Sequence, residues 1–110
     1  MADVLGAFEQ AVLLAVIRLR DDAYGRAVLK EVQNRLDRDV VPGAVHATLD
    51  RLERKGFVAS RLGSGTPIRD GRARRFYVVQ TAGIDALNDA RAAMQQLWRG
   101  FNKPLKASER

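Results

Sequence analysis

The chain predicts a mainly α, α+β domain with the order α-α-α-β-loop-β-α. Three observations carry that reading. Helical spacing of apolar residues runs through the first half, two aromatic and β-branched runs follow it, and a late segment repeats its apolar residues at alternating intervals of three and four. At 110 residues the chain forms one domain with its own core, yet is small enough to gain from oligomerisation.

Each element can be justified in turn. Residues 4–20, VLGAFEQAVLLAVIRLR, have helical spacing, with Phe8, Val12, Ala15 and Leu19 on one face. Leu13, Leu14, Val16 and Ile17 fill most of the others. A helix apolar nearly all round must be covered on two sides, either by its own core or by a second subunit. In DDAYG, Asp21 or Asp22 is expected to cap a second helix that runs to about Leu36, with Val28, Val32 and Leu36 as its stripe. Pro42 suits the first turn of a third helix, PGAVHATLDRLERKGF. Val45, Leu49 and Leu52 would face inward there, and Gly56 would stand just past the helix end. The opposite face would show Ala44, His46, Ala47, Asp50, Arg51 and Arg54.

FVASRL and RRFYVV then read as strands, and the Gly, Ser, Pro and Asp residues between them mark a hairpin with a long loop. Gln80 or Thr81 opens a last helix of about 20 residues. Its apolar positions Leu87, Ala90, Met94, Leu97 and Phe101 form a coiled-coil-like seam, with Trp98 one residue off it. The expected division is a helix-and-hairpin unit at 1–80, a single C-terminal helix at 81–102 and a disordered polar tail at 103–110.

Charge narrows the function. The net charge is +6, the pI is near 10.5, and Arg outnumbers Lys by 15 to 4. Such a balance points to a polyanion, and guanidinium groups pair with phosphates and guanine edges in a bidentate fork. From Arg61 to Arg75 there are five Arg and one Asp, so most of the excess charge lies on the hairpin loop and its rim. A cluster of one sign focuses a field on an anionic partner. Three helices followed by a basic hairpin is the winged helix-turn-helix arrangement. There the third helix enters the major groove while the loop, or wing, reaches neighbouring backbone.

Other chemistry is weakly supported. The chain has no Cys and a single His, so thiolate zinc sites, disulfides and thiol catalysis are excluded, and no metal or other cofactor is expected. The three Ser residues lack a catalytic motif, and no enzyme is expected. The longest apolar run, AVLLAVI, is too short to span a bilayer, and acidic residues precede it. A soluble cytoplasmic protein with no membrane partner is the expectation.

LGAFEQAVLLAVIRLRDDAYG, GAVHATLDRLERKGFV and GRARRFYVVQTAG together resemble the PadR family of bacterial transcriptional regulators. The resemblance covers about residues 5–90. It implies a homodimer that binds palindromic double-stranded DNA through its winged helix, generally as a repressor, with a C-terminal helix packed on the partner. For some members it also implies a small aromatic effector. On this sequence the DNA contacts fall to Gly43, Ala44, His46, Ala47, Arg51, Arg69, Arg72 and Arg74. The dimer contacts fall to Phe8, Leu13, Leu87, Met94, Leu97, Trp98 and Phe101, with Trp98 also beside an effector pocket. His46 departs from the family, which often has Tyr there. Arg51 has a second reading, as a brace to Asp50, Glu53 or the hairpin. Two other functions fit the same fold: a winged-helix module for protein contact and a nonspecific nucleic-acid binder. Small and mixed polar residues on the third helix favour base reading over both.

Overall fold

A computed structural model describes residues 4–63 and 74–107. The elements are α1 (Ala7–Leu19), a 3-10 turn (Arg20–Asp22), α2 (Gly25–Leu36), α3 (Pro42–Arg54), β1 (Val58–Leu62), β2 (Arg75–Val79) and α4 (Thr81–Leu97). The order is the one read from the sequence. No helix among the described residues is long and apolar enough to cross a membrane.

The core forms where the inward stripes of the first three helices meet the hairpin. Val12, Leu13, Val28, Val32, Val45, Leu49 and Leu52 are all fully buried, and Val58 and Tyr77 close the cluster from the sheet. Burying a Leu or Val side chain contributes about 1.5–3 kcal/mol, so this cluster holds the three helices at fixed angles. β1 and β2 pair antiparallel, Val58 opposite Val79 and Leu62 opposite Arg75.

Pro42 takes the first position of α3, where its missing N–H costs no hydrogen bond. Gly56 ends the same helix at φ +80°, a conformation other residues adopt only with strain.

Four details differ from the sequence expectation. Leu36, expected on the stripe of α2, is the last residue of that helix and is exposed, while Val28 and Val32 are buried. Neither Asp21 nor Asp22 caps α2. Both lie in the 3-10 turn, and the extended residue before α2 is Tyr24. The Ala23 carbonyl accepts the Tyr77 N–H at 2.8 Å, and Tyr24 bridges to Phe76. Two residues of chain thus serve as a third edge to the hairpin, and α2 can start only after them. Leu13, expected at the dimer contact, is fully buried in the chain's own core, and Phe8 is half-buried against that core. The apolar surface left on α1 belongs to Leu14 and Ile17 instead. Finally, α4 stops at Leu97. A turn follows, Gly100 takes φ +94°, and Phe101 lies beyond the helix with its ring edge-on to Trp98 at 6.4 Å.

The start of α4 is locked onto the winged core. The Gln80 N–H donates to the Phe57 carbonyl at 2.8 Å. A Cβ at Gly83 would stand 2.5 Å from that same oxygen and 2.8 Å from Val79 Cγ1. Only glycine lets the helix approach so closely.

Candidate nucleic-acid interface

The apolar period of α3 decides what it presents. Val45, Thr48, Leu49 and Leu52 are buried beneath it, so Gly43, Ala44, His46, Ala47, Asp50, Arg51 and Arg54 are exposed on the far side. The exposed set is small or polar throughout. Small residues let a helix backbone sink into a groove, and polar ones can meet base edges or phosphates. Arg54, which the sequence placed on this face but not among the expected DNA contacts, is exposed here with the others.

Both flanks of α3 are tied down. On one side Glu9, in the first turn of α1, takes Arg51 Nε–H at 3.3 Å and Lys55 Nζ–H at 3.2 Å on the same carboxylate oxygen. Its other oxygen accepts the Gly6 N–H at 3.3 Å. Arg51 also donates to Thr48 Oγ1 at 3.4 Å. Arg51 is therefore a brace in this structure, but to α1 and not to Asp50, Glu53 or the hairpin. On the other side the Ser60 hydroxyl donates to Glu53 at 2.8 Å and accepts from Arg75 at 2.9 Å, which joins the end of α3 to the hairpin. Near the start of α3, His46 lies over Gly25, where an added Cβ would meet its Cε1 at 3.4 Å.

Burial of Glu9 opposes its charge. The hydrogen bonds from Lys55, Gly6 and Arg51, together with the Lys55 charge, outweigh it and hold the carboxyl below its ordinary value.

The arginines at the root of the hairpin loop are placed by aromatic rings. Arg74 stacks over Tyr24 at 4.2 Å and Arg61 over Phe76 at 5.3 Å, while the two rings meet edge-on at 5.7 Å. Contacts of this kind contribute about 0.5–1 kcal/mol at exposed sites and hold a guanidinium in one direction. Arg69 and Arg72 lie outside the described residues.

A second feature lies away from α3. Leu14 and Ile17 of α1 face Ile84, Leu87 and Met94 of α4, and Trp98 just past it, across an open groove of about 630 Å³ that Gln10, Asn88, Arg91 and Gln95 also line. Leu97 and Phe101 stand exposed beyond it. Of the expected interface residues, Leu87, Met94 and Trp98 thus share one surface, while Phe8 and Leu13 do not reach it.

A braced helix with a small, polar outer face, set beside a basic hairpin, defines a winged helix-turn-helix. Residues 13–89 match the Transcriptional regulator PadR-like family, which is most of the chain. The chain belongs to the PadR-like family, a family of transcriptional regulators and not of enzymes. It is 42% identical over 60 residues to the transcriptional regulator Rv3488 of Mycobacterium tuberculosis; the match covers 54% of this chain and spans about half, 52%, of that relative. Solved structures agree in fold. A PadR family regulator from Eggerthella lenta superposes with a TM-score of 0.65 at 26% identity, covering 88% of this chain and 82% of its own. A PadR-like regulator from Bacillus cereus reaches 0.72 at 16% identity, covering 94% and 95%.

Proposed function

We propose that the chain binds double-stranded DNA as a homodimer and represses transcription from an inverted-repeat operator. The observation that carries this reading is the exposed face of α3. It offers Gly43, Ala44, His46, Ala47 and Arg54, and it is fixed at both flanks before any ligand arrives. A preorganised reading helix enters the major groove without an ordering cost. Arg74, with Arg69 and Arg72 of the wing, supplies the backbone contacts; Arg51 supports the helix from α1. The α3 face exposes no large apolar side chain, which argues against a module for protein contact.

The dimer forms on α4. Met94, Leu97, Trp98 and Phe101 are exposed at the free end of that helix, and Leu14, Ile17 and Ile84 continue the apolar surface along the groove. A partner's α4 laid in this groove would cover the surface. Trp98 at its edge would also stack on a flat aromatic effector, whose binding would change the angle between the two winged units.

Leu97→Asp tests the dimer and its link to DNA together. A carboxylate in an apolar contact costs several kcal/mol when buried unpaired. The variant should sediment as a monomer at micromolar concentration and lose operator affinity, while its melting temperature stays close to the monomeric core's. Wild-type protein that is already monomeric, with undiminished binding to one half-site, would remove the dimer from the account.

A further inference from the structure

We propose that Glu9 is a specificity-determining residue of the DNA interface, which it serves by withholding Arg51 and Lys55 from the phosphate backbone. The inference rests on α3 being the DNA-reading helix. Arg51 and Lys55 lie one turn apart, and Arg51 follows Ala47 by four positions, so both cations border the surface that would enter the groove. Each is about half exposed, at 45%, while the Glu9 side chain between them is mostly covered, at 15%. The geometry is unequal: one carboxylate oxygen receives both cations at 3.3 and 3.2 Å, and the other is held by the Gly6 N–H. Glu9 is thus fixed by the backbone N–H of the residue that caps its helix and draws two long side chains towards α1.

Ion pairs with half-exposed cations add little to stability. Their larger consequence is for DNA. Free Arg and Lys at a groove edge attract any sequence alike, and each phosphate they neutralise releases counterions. A carboxylate on α1 that occupies both removes that sequence-independent attraction and leaves recognition to the central face of α3. A wing rich in arginine already supplies nonspecific affinity, so restraint of this kind sharpens the ratio between operator and random DNA.

Glu9→Gln keeps the shape and the acceptor for Gly6 but removes the charge. Binding to random-sequence duplex, followed by fluorescence anisotropy across a salt series, should show a log–log slope steeper than wild type by about 0.9 for one released cation and about 1.8 for two. Lys55→Gln should leave the slope unchanged in the wild-type background and take back about 0.9 in the Glu9→Gln background. An unchanged slope in Glu9→Gln would overturn the proposal, as would a flattened slope in Lys55→Gln alone. Should Glu9→Gln not fold, Lys55→Gln in the wild type decides by itself: an unchanged slope supports the proposal and a slope flattened by about 0.9 refutes it. Wild-type protein without affinity for duplex DNA would sink the DNA-binding reading, and this inference with it.

Discussion

At Glu9, three donors from the residue before α1, from α3 and from the residue after α3 converge on one carboxylate. The arrangement has a pH signature. In the unfolded chain the carboxyl returns towards its ordinary 4.5, while in the folded chain it sits lower. The folded state therefore binds that proton less tightly. Its advantage is fully present above about 4.5 and is lost as the pH falls through the lower, folded value. Wild type should melt above Glu9→Gln near neutral pH by a margin worth about 0.5 kcal/mol, since the cations are half exposed. The two melting temperatures should converge on acidification; a gap that widens instead would contradict the assignment. Arg51 was readable in the sequence as an exposed residue of α3, but its partner was not. Glu9 lies 42 residues away, and no local spacing links the two.

Among the elements, the inward stripes of α1, α2 and α3 were legible because a 3.6-residue period survives folding: Val12, Val28, Val32, Val45, Leu49 and Leu52 are all buried. The bridge at Ala23–Tyr24 was not, since two extended residues are too few to show a strand's alternation. The end of α4 was misplaced because the 3-4 apolar spacing runs on through Phe101, although Gly100 carried the stop signal. The burial of Leu13 inside the core was not legible either, because an all-round apolar helix does not declare which of its faces its own core will cover. The docking of α4 on the winged core supplies the prediction at this scale. Gly83→Ala would press a methyl group against the Phe57 carbonyl and Val79. The overpacking should destabilise the fold by about 1–3 kcal/mol despite alanine's better helix propensity, and chemical denaturation reads it directly. A neutral or stabilising result would mean that the helix stands further from the sheet than described.

On the scale of the whole molecule, the described residues measure 61 × 31 × 20 Å. That elongation follows from α4, whose buried residues, Gly83 and Ala90, lie in its first ten positions and whose later turns extend from the winged core. On the proposed reading, the exposed apolar end of α4 serves assembly and the polar face of α3 serves recognition. A lone winged helix makes too few base contacts to select one site in a genome, so two copies joined through α4 should read two half-sites. Selection of bound sequences from random duplex DNA tests this most directly. The account predicts an inverted repeat whose half-site centres lie roughly 34 Å apart, one turn of the duplex. Recovery of no preferred sequence, or of a single asymmetric half-site, would contradict it.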